Sequence, residues 1–145
     1  MGRLLGIDYG DSRIGLALSD PYKIIASPFK TIENKGNKYV LRLLTEIKIE
    51  KQIESMVLGL PIGLNNKDTS QTKKVRSFAV LIKALDLPII FQDERLSSLS
   101  AEKSLIIQNV KTGHNKSMID KAAAAIFLQQ FIDSKKNKNE KFEIS

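Results

Sequence analysis

Three acidic positions stand where they could do chemistry. The first is Asp8, in the segment Arg3-Leu4-Leu5-Gly6-Ile7-Asp8-Tyr9-Gly10-Asp11-Ser12-Arg13-Ile14-Gly15-Leu16-Ala17-Leu18-Ser19-Asp20. Here a short apolar strand runs into an aspartate, a glycine turn follows, and a second apolar strand begins. A carboxylate inside an apolar strand is costly to bury unpaired. A bound cation is a common way of offsetting that cost, and hard cations such as Mg²⁺ take oxygen ligands. The second position is Asp93 or Glu94, which end a later apolar strand, and the third is Asp120, in the first turn expected for the final helix. In open sheets, sites form at the carboxyl ends of the strands, where these residues could meet. Carboxylates of this kind suit phosphodiester cleavage by two metal ions ~3.5–4 Å apart, which activate a water and stabilise the leaving oxygen.

Each acidic residue also has a purely structural reading. Asp8 can accept backbone N–H bonds in the glycine turn. Glu94 can pair with Arg95 or cap the next helix. Ser117-Met118-Ile119-Asp120 has capping-box spacing before an apolar run. The two roles of Asp120 are compatible, because a carboxylate placed by a cap can also bind metal. Basic side chains that could hold flanking phosphates are Arg13, Lys73, Lys74, Arg76, Arg95, Lys111 and Lys116. Any one of them is more often just a solvated surface charge. His114, the one histidine, lies in a basic loop and supports neither a Cys/His metal site nor a Ser-His-Asp triad. Gly113–Ser117 lacks the Gly-Lys-Ser/Thr order of a Walker A loop.

The elements that must position these residues follow from pattern. Leu4–Asp8 and Ile14–Ser19 are expected strands, and Ile24–Thr31 is a third, placed at an edge by Pro28. Val40, Leu43, Leu44 and Ile47 have helical spacing. Met56–Leu60 reads as a strand buried on both faces. Val75, Phe78, Ala79 and Ile82 mark a second helix, with Thr69 or Ser70 as cap. Pro88–Gln92 is the fifth strand. A helix is expected from near Ser98 or Ser100 through Leu105, and a last one from about Met118 to Ile132. Its Ala122–Ala125 run would let the helix backbone lie close to the sheet and bring Asp120 toward Asp8. The class is α/β: a mixed five-stranded sheet, with three antiparallel strands and then βαβα, and helices on both faces. The expected organisation is a single domain over 1–133 and a basic, disordered tail over 134–145.

The chain has 145 residues and a formal net charge of +7, of which the tail carries +2 and the body +5. A basic body suits a polyanionic partner such as nucleic acid, and a lysine-biased proteome would give the same balance. There is no cysteine, so a disulfide framework and a thiolate metal site are excluded. No apolar run approaches the ~20 residues of a membrane span. The N-terminal residues do not form a signal peptide. These features fit a soluble cytosolic protein.

Four stretches together resemble the YqgF/RuvX group, small bacterial proteins of the ribonuclease H-like superfamily. They are Gly6-Ile7-Asp8-Tyr9-Gly10 with Arg13-Ile14-Gly15, Val57-Leu58-Gly59-Leu60-Pro61, Asp93-Glu94-Arg95-Leu96-Ser97-Ser98, and Asp120-Lys121-Ala122-Ala123-Ala124. Val75–Ala79 also looks like the group's second helix, and the likeness runs from about Arg3 to Phe131. It departs from the group's pattern at Leu64–Asp68, where a glycine is usual, and at Ser97-Ser98, where threonines are common. The resemblance implies a ribonuclease H-like fold and a nuclease dependent on Mg²⁺ or Mn²⁺, with two ions held by the acidic triad Asp8, Glu94 and Asp120. Asp93 is the substitute if Glu94 points away. It further implies processing of the 5′ end of precursor 16S ribosomal RNA, with ribosomal association, or Holliday-junction resolution on DNA. A non-catalytic RNA-binding module is a third reading. Actin-like and sugar kinases share the opening strand–turn–strand, but they need two such domains, and there is no second copy here.

Overall fold

A computed structural model describes residues 2–93 and 116–144 of the chain. Five strands form one sheet in the order β3-β2-β1-β4-β5. The strands are β1 (Arg3–Tyr9), β2 (Arg13–Ser19), β3 (Ala26–Glu33), β4 (Ile53–Leu60) and β5 (Ile89–Asp93). The helices are α1 (Asn37–Lys51), α2 (Ser70–Ile82) and α3 (Lys116–Ile144). β1 pairs antiparallel with β2 and parallel with β4, so the expected mixed sheet is present. The helix expected from Ser98 or Ser100 through Leu105 lies outside the described residues.

The hairpin β1–β2 turns at Gly10, where a Cβ would stand 2.5 Å from the Arg13 carbonyl oxygen. Only a residue without a side chain allows so tight a return. β3 takes the edge, as Pro28 requires, and the ladder with β2 is irregular between Leu16 and Ala17, beside that proline. Thr69 caps α2: its hydroxyl accepts from the Thr72 amide, and the Thr72 hydroxyl accepts in return from the Thr69 amide.

Alternation along each strand divides the core between the two faces. On one face Leu5, Ile7, Ile14, Leu16, Met56 and Leu58 pack under α1 and α2, which contribute Leu44, Val75 and Ile82. On the other, Leu4, Ala17 and Val57 pack under Ala124, Leu128 and Phe131 of α3. The close approach expected from the alanine run is present at Gly6. A Cβ there would lie 3.0 Å from both the Ala124 carbonyl oxygen and the Leu128 Cβ.

Two features of α3 differ from expectation. Its described part starts at Lys116, four residues before Asp120, so Asp120 lies beyond the first turn. It also does not stop near Ile132. The helix continues to Ile144. From Lys116 onward the chain has no glycine or proline, and its lysines and glutamates are good helix formers, so nothing in the backbone ends the helix earlier.

Candidate active site

β1 delivers Asp8 to its carboxyl end, half-buried and on the α3 face, two residues beyond Gly6. On the neighbouring strand β2, Asp8 pairs with Gly15. On the other side the ladder pairs Ile7 with Leu58, which sets Gly59 level with Asp8. The Asp8 side chain is therefore flanked on both neighbouring strands by glycines. No neighbouring side chain rises from the sheet to cover the carboxylate from these directions, so the position suits an aspartate that must reach a bound ion or substrate.

Arg13 shares this face. It lies two positions along β2 from Gly15, and the diagonal separation across an antiparallel pair is about 7–8 Å, within reach of an arginine. The fifth strand adds Gln92, which pairs with Gly59 and is 7% exposed. Asp8 and Gln92 thus stand in one row across the sheet with only Gly59 between, two strand spacings or about 10 Å apart. By pattern alone Gln92 is simply the end of the fifth strand. The signal for it is the polar side chain that closes the apolar run Ile89-Ile90-Phe91.

The acidic pair at the end of β5 is separated by the same alternation. Asp93 pairs with Leu60 and so belongs to the α1–α2 face, opposite Asp8. As a stand-in for Glu94 it would approach from the wrong side of the sheet. Glu94, Arg95, Lys111 and His114 lie outside the described residues.

α3 runs antiparallel to β1: Phe131 and Leu128 pack with Leu4, and Ala124 meets Gly6. The backbone at Asp120 is four residues before Ala124, about 6 Å further along the helix axis. Asp8 is two residues beyond Gly6, about 7 Å along the strand in the same direction. The two backbone positions therefore advance together from the Gly6–Ala124 contact. Side chains of residues 116–120, Lys116 and Asp120 included, are outside the described set. Among the described side chains, no group of three or more His, Asp or Glu converges as a metal site.

Arg76 is engaged elsewhere. On the exposed side of α2, its Nε donates to Asp68 Oδ2 at 2.7 Å, its Nη2 donates to Oδ1 at 3.2 Å, and its guanidinium lies 5.8 Å from the Phe91 ring centroid. The Asp68 hydrogen bond raises its already high pKa. Phe91 pairs with Leu58, so Arg76 serves the face opposite Asp8. Lys74 pairs with Asp11 at 2.9 Å beside the β1–β2 turn. Among the described residues, no helix is long and apolar enough to cross a membrane.

Comparison with solved structures supports the fold. RuvC of Thermus thermophilus, in complex with a Holliday junction substrate, aligns with a TM-score of 0.59 at 12% identity, over 93% of this chain and 96% of that one. The Fowlpox virus resolvase, in complex with Holliday junction DNA, aligns at 0.56 and 11% identity, over 91% and 97%. At such identities the likeness is one of fold, and that fold is ribonuclease H-like. Among curated proteins, one from Zymomonas mobilis is 40% identical, over 92% of this chain and 82% of its own length. One from Clostridioides difficile is 41% identical, over 94% and 97%. Both are provisionally named pre-16S rRNA nucleases. The family model described as RuvX, Holliday junction resolvase, matches residues 2–134, and by that match and these relatives the chain belongs to the RuvX family.

Proposed function

We propose that this protein is a metal-dependent endonuclease that processes the 5′ end of precursor 16S ribosomal RNA in the cytoplasm, in association with the ribosome. The observation that carries the reading is the setting of Asp8. It stands at a strand's carboxyl end between two glycines, with Arg13 on the same face and α3 packed on the same strand at Gly6. The names of the relatives favour ribosomal RNA as substrate.

The ligand set is Asp8, Glu94 and Asp120. Asp93, on the opposite face, is the weaker choice of the β5 pair. All-carboxylate donors fit hard divalent cations, Mg²⁺ or Mn²⁺, and the triad would hold two of them. When bound, such ions polarise the phosphodiester and lower the pKa of a bound water. The chain's own part is to hold these carboxylates on a rigid strand and helix, and to grip the phosphates beside the scissile bond. Arg13 does this from the sheet, joined by Arg95, Lys111 and Lys116. The ion pair with Asp68 gives Arg76 a lesser share.

The test is cleavage of a precursor 16S 5′-end fragment, alongside a four-way DNA junction, in Mg²⁺ and in Mn²⁺. The expected result is cleavage of the RNA that Asp8→Asn abolishes while the folded state survives. Full activity in a clean Asp8→Asn preparation would overturn the catalytic reading. Symmetric cutting of the junction with the RNA untouched would make the protein a resolvase. Metal-independent RNA binding without cleavage would make it a binding module.

A further inference from the structure

A groove of about 300 Å³ lies on the face opposite Asp8, at the same end of the sheet, lined by Tyr9, Asn37, Lys73, Lys74, Ser77, Phe78 and Leu81. Tyr9 directly follows Asp8, and strand alternation sends the two side chains to opposite faces. The β1–β2 turn between the faces is only Gly10–Ser12. The groove is therefore one short turn from the candidate active site.

Its lining divides into two kinds of surface. The half-buried Tyr9 ring forms an aromatic wall, backed by the buried Phe78 ring with centroids 4.5 Å apart, and Leu81 extends it. Tyr9 is bonded at both its side chain and its backbone. Its hydroxyl accepts from Asn34 Nδ2 at 3.4 Å, and its carbonyl oxygen accepts from Gln71 Nε2 at 3.4 Å. The polar side carries Lys73, Lys74, Ser77 and Asn37, and no carboxylate among the described residues lines it. Asp11 restrains Lys74, whereas no carboxylate among the described residues pairs with the exposed Lys73. An aromatic ring beside lysines is a combination that holds an unpaired nucleotide: the base packs on Tyr9 and the phosphate meets the ammonium groups. The volume is at the small end of ligand sites and suits a single nucleotide.

We infer that this groove seats one unpaired nucleotide of the substrate strand, flanking the bond cut at Asp8, so that the strand passes around the β1–β2 turn. The inference rests on the nuclease reading and adds a requirement for a single-stranded extension.

Binding of a fluorescent RNA hairpin with a short single-stranded extension is compared with that of the blunt hairpin, in chelator so that no cleavage occurs. For the unaltered protein the extended hairpin should bind about tenfold more tightly. Lys73→Glu should remove that preference and reduce the salt slope for the extended RNA by about 1, leaving the blunt hairpin nearly unaffected. Ser77→Trp, at an exposed position, fills the groove without changing charge and should also remove the preference. Lys83→Glu, an exposed charge change outside the groove, should not. Equal binding of both hairpins by the unaltered protein overturns the inference. So does a preference that survives both groove variants, or a loss that Lys83→Glu reproduces. Cleavage by Asp8→Asn is read separately. If that variant cuts RNA while the extension preference holds, the catalytic assignment fails and the groove stands. If it is inactive but no preference exists, only the groove fails.

Discussion

Gly6 and Ala124 are in backbone contact: the missing Cβ of Gly6 would stand 3.0 Å from the Ala124 carbonyl oxygen. This contact sets the height of α3 above the strand that carries Asp8. One methyl group at residue 6 must lift the helix or push Leu128, whose Cβ is equally close. Gly6→Ala should therefore cost about 1–3 kcal/mol of stability, the usual range for overpacking. Gly6→Val should cost more and reduce cleavage by separating α3 from β1. Urea unfolding checks the first, and an undiminished midpoint in Gly6→Ala would mean that the helix is free to shift.

Leu128 is fully buried against the same strand. Leu128→Ala should cost about 2–5 kcal/mol, because the cavity adds to the lost transfer energy. Thermal unfolding measures this. A loss well below 1 kcal/mol would show that α3 packs loosely on the sheet.

Arg13 reaches the Asp8 face from β2. If it holds a phosphate beside the scissile bond, Arg13→Ala forfeits a charge-assisted hydrogen bond worth about 1.5–3 kcal/mol, or roughly 10- to 150-fold in kcat/KM. Arg13→Lys should recover part of the loss, since it keeps the charge but not the bidentate geometry. Steady-state cleavage of the RNA fragment reads both. Wild-type kinetics in Arg13→Ala would remove it from the substrate path.

Asp20 organises the β2–β3 loop, accepting N–H bonds from Ile25 at 2.8 Å, Ile24 at 2.7 Å and Tyr22 at 3.2 Å. These bonds, led by that from Ile25, hold its pKa below the ordinary 3.8. A carboxylate depressed in the folded state adds stability above its unfolded pKa and loses it as the pH falls through the folded value. Asp20→Ala should thus be less stable than the unaltered protein at neutral pH, with the gap closing below about pH 3.8. Unfolding midpoints across pH 2–7 test the sign. A gap that widens on acidification would contradict it.

Much of the architecture was legible before any coordinates. Alternation and helical spacing identified five strands and the helices between them, and Pro28 placed β3 at an edge. α3 extends past Ile132, the end expected from spacing, because no glycine or proline follows to break it. The candidate site was legible as a set of acidic residue types, but not as a set of faces. Nothing in Asp93-Glu94 as text says which side of the sheet each carboxylate takes, and only pairing with Leu60 assigns Asp93 to the side away from Asp8.

The sequence by itself determined that an aspartate ends an apolar strand, that a glycine turn follows it, and that an alanine-rich helix could lie near. These depend on local spacing and side-chain size, which the chain carries residue by residue. Tertiary structure alone decided that Gly15 and Gly59 flank Asp8, that Gln92 shares its row, and that Arg76 works on the opposite face. Strand order and register bring together residues separated by up to 84 positions, and a one-residue slip in that register would exchange every face.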